Sequence, residues 1–189
     1  MRRATHKTRR DFLGLGLAAA ACTLVTTPAF AARLARPVAT GPARALSFYN
    51  LHTDEKLDIT YWRDGQYDRA AWGRINHILR DHYSGDVHVM DLRLIDLVHD
   101  LRAHFGNDRP VDIISGYRSP ATNRFLRRET TGVAKNSYHM RGMAMDIRFG
   151  GTPLPRLHSE ALALRRGGVG YYPSSDFVHV DVGPVRRWG

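Results

Sequence analysis

Residues 137–149 have the sequence Ser-Tyr-His-Met-Arg-Gly-Met-Ala-Met-Asp-Ile-Arg-Phe. The first half of this stretch is polar and ends at Gly142, whereas the second half alternates between large apolar residues and Ala, Asp or Arg. Successive side chains of a β-strand point to opposite faces, so the alternation places Asp146 opposite an apolar face. The pattern predicts a strand over 142–149, preceded by a loop that carries His139.

A second stretch, Asp-Phe-Val-His-Val-Asp at 176–181, has the same alternation. His179 and Asp181 share one face of this predicted strand, and valines occupy the other face. Together with His139 and Asp146, His179 makes a set of two imidazoles and one carboxylate. Such a set leaves the fourth position of a zinc ion open for water, which is typical of a catalytic rather than a structural site.

The residues alone also allow a purely structural interpretation. His139 is then a solvated loop residue, and His179 is a core histidine whose hydrogen bonds are satisfied. For six other histidines this interpretation is favoured, namely His52, His77, His82, His88, His99 and His158.

The first 31 residues predict a signal peptide. Arg9-Arg10 is followed by Asp11-Phe12-Leu13, by an alanine-rich apolar run and by Ala29-Phe30-Ala31, which suits a cleavage site. Paired arginines before Phe and Leu are typical of a twin-arginine signal, and an ordinary secretory signal is the alternative. We expect export by the twin-arginine machinery to a periplasmic or extracytoplasmic location. Cys22 is the only cysteine, so a metal site in the exported chain would use His, Asp and Glu.

The order of elements predicts the fold class α+β. Two strand-like segments around a polar turn predict an N-terminal β-hairpin over 46–62. Helices are predicted to begin at Asp68, at about Asp91, at Ser119-Pro120 and at about residue 153. Because helices come early and several strands late, with no regular βαβ repeat, we expect a small central, largely antiparallel sheet flanked by helices.

Residues 137–146 fit the motif S-x-H-x-x-G-x-A-x-D, and through it the chain resembles the D-alanyl-D-alanine zinc peptidases. That superfamily also holds the lysostaphin-type endopeptidases and the hedgehog signalling domain. The segment Ser-Gly-Tyr-Arg-Ser at 115–119 resembles the one that supplies an active-site arginine. The C-terminal segments 167–173 and 177–181 resemble the exported murein endopeptidase branch, a peptidase-like domain of unknown function. The resemblance implies a zinc peptidase domain over 45–189. Residues 32–44 mix Arg, Pro, Ala and Gly without periodicity, which predicts a linker before this domain.

The resemblance also implies the roles of individual residues. It implies zinc bound by three ligands, His139, Asp146 and His179. Arg118 would stabilise the developing oxyanion and orient the substrate. Ser137 and Tyr117 would contact the substrate near the metal.

Two acids compete for the role of general base. Many relatives have a Glu three residues before the last zinc histidine, and here that position is Asp176, which is one methylene shorter. Strand alternation favours Asp181, because it lies on the same face as His179.

These expectations together predict zinc-dependent hydrolysis of peptide bonds in the stem or cross-link peptides of peptidoglycan. The alternatives are a D,D- or L,D-carboxypeptidase on the same substrate and a non-catalytic, zinc-containing binding module. The formal net charge of +10 is compatible with a polyanionic partner. An export signal and the lack of an aromatic-basic motif argue against nucleic acid. We expect a monomer that acts on peptidoglycan.

Overall fold

A computed structural model describes residues 41–106 and 109–189. The predicted signal peptide at 1–31 lies outside these residues, as does the predicted linker up to residue 40. In the described part of the chain, no helix combines the length and apolar character that crossing a membrane requires.

The described residues form an α+β fold, as the sequence predicts. The strands are β1 (Arg44–Asn50), β2 (Lys56–Arg63), β3 (Gln66–Tyr67), β4 (Val111–Ser115), β5 (Ala144–Phe149), β6 (Gly168–Tyr172), β7 (Phe177–Asp181) and β8 (Arg186–Trp188). The helices are α1 (Arg69–Ile78), α2 (Leu92–Ala103), α3 (Pro120–Glu129) and α4 (Leu154–Leu164), with short 3-10 turns at Tyr138–Arg141 and Pro173–Ser175.

Three helices begin where the sequence predicts because a side chain caps each of them. The carboxylate of Asp68 accepts hydrogen bonds from the first backbone N–H groups of α1. Asp91 caps α2 in the same way, and the hydroxyl of Ser119 caps α3. Each cap satisfies N–H groups that have no partner inside the helix.

The eight strands form one sheet in the order β3-β2-β1-β4-β5-β7-β6-β8. This sheet is mixed, which corrects the prediction of a small, largely antiparallel one. β1 pairs in parallel with β4, and β6 pairs in parallel with β8, while the other neighbours are antiparallel. The parallel pair β1–β4 arises because the chain returns through α1 and α2 before it enters the sheet again.

The hydrophobic core lies on one face of β5 and β7. Met145, Ile147 and Phe149 of β5 are buried in it beside Val178 and Val180 of β7. α4 packs against both strands, and α2 packs against β5. The side chains that alternate with these apolar residues therefore project from the opposite face, where the predicted site residues lie.

Candidate metal centre and substrate groove

Three predicted ligands converge on the open face of the sheet. Asp146 and His179 are directly paired across β5 and β7, so their side chains lie side by side. The 3-10 turn before β5 brings His139 over them. His139 Nε2 lies 3.1 Å from His179 Nδ1 and 3.3 Å from Asp146 Oδ1. The last pair, His179 Nδ1 and Asp146 Oδ1, is 2.8 Å apart, and all three residues are buried.

The chemistry of this donor set fits a zinc ion. Two imidazole nitrogens and one carboxylate oxygen are preferred zinc ligands, and two tetrahedral ligands at zinc distances stand roughly 3.3 Å apart. The observed separations are close to that value. Among the described residues, this is the one group of three or more His, Cys, Asp or Glu whose ligand atoms all lie within 4.8 Å of one another.

The backbone around His139 aims its ring at the cluster. His139 Nδ1 lies 2.7 Å from the carbonyl oxygen of Gly116, so a proton on Nδ1 leaves Nε2 free to bind metal. The hydroxyl of Ser137 accepts a hydrogen bond from the backbone N–H of His139 at 3.3 Å and caps the turn. Gly142 ends the turn at φ 65°, and a Cβ there would overlap the carbonyl oxygen of Val89. The turn therefore depends on a glycine at this position.

Asp181 lies behind His179, on the side away from the cluster. Its Oδ2 is 3.1 Å from His179 Nε2, which leaves Nδ1 of the same ring facing Asp146. Asp181 is 0% exposed. Its Oδ1 accepts from the backbone N–H groups of Gly168 and Gly183, and Arg186 bonds both carboxylate oxygens at 3.0 and 2.6 Å. Both oxygens of Asp181 are thus occupied by donors.

Electrostatics set the charges of these groups. Burial alone would raise the pKa of Asp146, but the adjacent His139 and His179 outweigh it and hold that pKa well below the usual range. The pKa of Asp181 is also lowered, because hydrogen bonds from His179 and Arg186 outweigh its burial. Burial lowers the pKa of His139. Asp146 is therefore a carboxylate and His139 a neutral imidazole, which are the states that bind metal. The pKa of His179 is raised, because its hydrogen bonds to Asp146 and Asp181 outweigh its burial, so a metal bound there would displace a proton.

The second predicted acid, Asp176, has a different environment. It follows the 3-10 turn at Pro173–Ser175 with φ 53°, and its side chain is 63% exposed. Asp176 Oδ2 pairs with Arg148 Nη1 at 2.7 Å. Arg148 lies two residues after Asp146 on the same face of β5, so Asp176 is at the rim of the site rather than within the cluster.

The predicted arginine lies beside the cluster, and the predicted tyrosine lies farther away. Arg118 Nη2 is 3.7 Å from Asp146 Oδ2, and the backbone N–H of Arg118 bonds the carbonyl of His139 at 3.2 Å. Tyr117 instead stacks on His88, with ring centroids 4.6 Å apart. Tyr117 lines a neighbouring cavity and not the groove that holds the cluster.

That groove has a volume of about 570 Å³ and holds His139, Asp146 and His179 among its lining residues. The prediction from sequence missed several residues that line it, namely Tyr138, Tyr172, Arg186 and Trp188.

Trp188 is the largest of the missed side chains, and its ring centroid is 5.1 Å from that of His179. A Cβ on Gly170 would lie 2.6 Å from the indole, so Trp188 can cross β6 only because residue 170 has no side chain. A glycine within a strand often marks such a close approach, and Gly170 was the signal that could have revealed it.

Comparison with known proteins identifies the family of the chain. The family model described as "Peptidoglycan L,D-endopeptidase MepK" matches residues 38–188. A relative of that name from Escherichia coli (strain K12) is 41% identical over 180 residues, which cover 95% of this chain and 96% of the relative. The "Probable peptidoglycan L,D-endopeptidase MepK" of Haemophilus influenzae is 41% identical over 152 residues, or 80% of this chain and 82% of the relative. The chain therefore belongs to the MepK family of peptidases, which confirms its resemblance to the murein endopeptidase branch of the D-alanyl-D-alanine zinc peptidases.

Proposed function

We propose that this protein is a zinc-dependent endopeptidase that hydrolyses peptide bonds in the cross-link peptides of peptidoglycan. The observation that carries the proposal is the buried cluster of His139, Asp146 and His179 on the floor of an open groove. Membership of the MepK family supports the substrate class. The relatives are named L,D-endopeptidases, and we extend that bond preference to this chain.

A zinc ion held by the three ligands would polarise the scissile carbonyl and activate a water molecule as nucleophile. Side chains of the protein would stabilise the oxyanion and contact the substrate. The guanidinium of Arg118, beside the cluster, would hold the carbonyl oxygen as negative charge develops on it. Ser137 and Tyr117 remain proposed substrate contacts. Ser137 lines the groove, and its hydroxyl proton is free of the bond to His139.

We assign a positioning role to Asp181. Its carboxylate holds the proton of His179 on Nε2 and so presents Nδ1 to the metal, as carboxylates do for many metal-bound histidines. Four donor groups saturate its oxygens, and none of its surface is open to a substrate. A general base must reach the proton that it removes, and the surroundings of Asp181 do not provide that access.

We assign the role of general base to Asp176, the alternative that the sequence left open. It is the exposed acid at the rim, between the groove-lining residues Ser175 and Phe177. A change of side-chain rotamer that releases Arg148 would turn its carboxylate towards the groove. In that position it would take a proton from the attacking water and pass it to the leaving amine.

Defined cross-linked muropeptides would test the proposed function. We expect the zinc-loaded enzyme to cleave an L,D-linked dimer into monomers, as measured by mass spectrometry, and to leave D,D-linked dimers largely intact. Removal of the metal with a chelator should abolish cleavage, and added zinc should restore it. Release of only a terminal residue would identify a carboxypeptidase, and no cleavage of either dimer would contradict the proposal.

We further propose that the protein acts outside the cytoplasm as a monomer, after export by the twin-arginine machinery. The paired Arg9-Arg10 support this route. Replacement of both arginines by lysine should leave the protein in the cytoplasm, as measured by cell fractionation. Normal export of that variant would contradict the twin-arginine route.

A further inference from the structure

A second cavity adjoins the groove on the far side of Arg118 and Asp146. It has a volume of about 220 Å³, and its wall contains the aromatic rings of His52, His82, Tyr83 and Tyr117. We call it the aromatic cavity. It is smaller than the metal groove, at about 220 Å³ against about 570 Å³, and suits a ligand of about one ring.

Exposed aromatic rings lie beside the aromatic cavity. Tyr83, in its wall, is 58% exposed, and Phe125, whose ring centroid is 6.1 Å from that of Tyr83, is 49% exposed. Exposed apolar groups beside a polar site can mark a binding surface.

The rings of the aromatic cavity are held in place by one another. His52 stacks on His82 with centroids 3.8 Å apart and an angle of 2° between the planes. Tyr83 packs on His82 at 4.5 Å and contacts Phe125 at 6.1 Å. Its backbone N–H is bonded to the buried carboxylate of Asp81 at 2.9 Å. These contacts fix the orientation of the Tyr83 ring, which is 58% exposed and can receive a ligand on its open side.

The charges of the aromatic cavity favour a neutral ligand. Hydrogen bonds from Thr122 and Ser119 outweigh burial and lower the pKa of Asp81 to about 2, so Asp81 stays anionic. Burial lowers the pKa of His82 to about 4, so its ring is neutral at physiological pH. The one cation in the wall, Arg118, stands at the junction with the metal groove. The carboxylates of stem peptides would therefore be repelled by Asp81 and drawn towards Arg118.

We propose that the aromatic cavity binds a sugar ring of the glycan strand whose cross-linked peptide lies at the metal centre. This inference rests on the proposed function, because peptidoglycan supplies both parts of the ligand. A sugar ring is neutral and has an apolar C–H face, which packs on the electron-rich face of an aromatic ring. The stem peptide is short, so a sugar follows within a few residues of the bond that is cut.

The test compares two forms of one cross-linked dimer, one with its sugars and one from which an amidase has removed them. The wild-type enzyme should have the lower KM for the form with sugars. Tyr83→Ala should raise that KM about three- to tenfold, leave kcat unchanged, and leave both constants for the sugar-free form unchanged. Tyr83→Phe keeps the ring and should behave as wild type. Tyr67→Ala removes an exposed ring from β3, an edge strand outside the wall of the cavity, and serves as the control.

Equal KM values for the two forms, in wild type and in Tyr83→Ala alike, would overturn the glycan proposal and leave the peptidase function standing. A direct measurement does not depend on cleavage at all. Peptide-free glycan strands should bind the His139→Ala variant and should not bind the double variant that also carries Tyr83→Ala. Failure of the first protein to bind these strands would also overturn the proposal, even if wild type cleaves peptidoglycan.

Discussion

The positioning role that we propose for Asp181 predicts that its carboxylate affects zinc binding through His179. We expect Asp181→Asn to weaken zinc binding by about 10- to 100-fold, because an amide no longer holds His179 and Arg186 in place as a carboxylate does. Competition with a chromogenic chelator would measure the affinity. The control is Asp100→Asn, which removes another arginine-paired acid, on α2. Unchanged zinc affinity in Asp181→Asn would rule out the positioning role.

Substitution of Asp176 should reduce catalysis and leave zinc binding intact, the reverse of what we expect for Asp181. We expect Asp176→Asn to keep its zinc and to lose about 10²- to 10⁴-fold in kcat, because the variant lacks a proton acceptor at the rim. Asp112 provides a matched control, since its Oδ2 also pairs with Arg148, at 3.3 Å from Nε. If Asp176→Asn were as active as Asp112→Asn, the base would have to be another group.

The cluster of His139, Asp146 and His179 could be predicted from sequence more fully than the environment of the acids around it. Strand alternation places Asp146 and His179 on open faces, and the structure pairs them across β5 and β7. Alternation also places Asp181 on the face of His179, but it gives no information on what covers that face. Arg186 covers the carboxylate of Asp181, and it lies on β8, which pairs with β6 rather than with β7. The burial of Asp181 is thus a tertiary effect with no local signal.

The 3-10 turn that carries His139 depends on Gly142. Gly142→Ala forces a side chain into a left-handed conformation and against Val89, so we expect it to lower the free energy of unfolding by roughly 2–4 kcal/mol and to weaken zinc binding. Gly85→Ala is the control, because Gly85 has φ 77° but open space around it. We expect Gly85→Ala to lower the free energy of unfolding by about 1 kcal/mol and to bind zinc normally. Chemical denaturation would measure the free energy of unfolding of both variants. Equal losses of this free energy in Gly142→Ala and Gly85→Ala would show that the contact with Val89 is unimportant.

The loop between α1 and α2 should make the stability of the fold depend on pH. The pKa of His82 is about 4 in the folded protein because of burial and the neighbouring His52, against 6.5 as the ordinary value. Between pH 4 and pH 6.5, His82 therefore binds more protons in the unfolded chain than in the folded protein. This contribution to stability is complete above pH 6.5 and is lost as the pH falls towards 4.

We expect the unfolding free energy of wild type to fall by roughly 2–3 kcal/mol more than that of His82→Phe across this range. Phe keeps a ring for His52 to stack on but cannot take up a proton. Urea unfolding at a series of pH values would measure the difference. Parallel pH profiles for the two proteins would show that His82 does not titrate in this way.

At the scale of the whole molecule, the pairing of the strands in the sheet could be predicted from the sequence only in part. The class α+β, the helix caps and the two strands of the site follow from local patterns, because each depends on residues close together in the chain. The parallel pairing of β1 with β4 depends on how α1 and α2 return the chain, and β8 adds at the edge beside β6. Neither pairing leaves a periodic pattern, since hydrophobic alternation is the same in parallel and antiparallel neighbours of a mixed sheet.

The groove, like the parallel strand pairings, depends on segments that are far apart in the sequence. Its floor comes from β5 and β7, but its walls come from the loop after α3 and from Trp188 near the end of the chain. These segments are far apart in sequence and meet only in the folded sheet. The motif therefore predicted three residues that the fold brings together, and the extent of the groove became visible only in three dimensions.

The proposed function depends above all on a functional metal at His139, Asp146 and His179. The most direct measurement combines zinc content, by mass spectrometry of the metal, with cleavage of purified peptidoglycan by the same samples. We expect wild type and the control His77→Ala, which alters an exposed histidine on α1, to hold one zinc per chain and to cleave. We expect His139→Ala to hold no zinc and to be inactive. Full cleavage by metal-free His139→Ala would contradict the account.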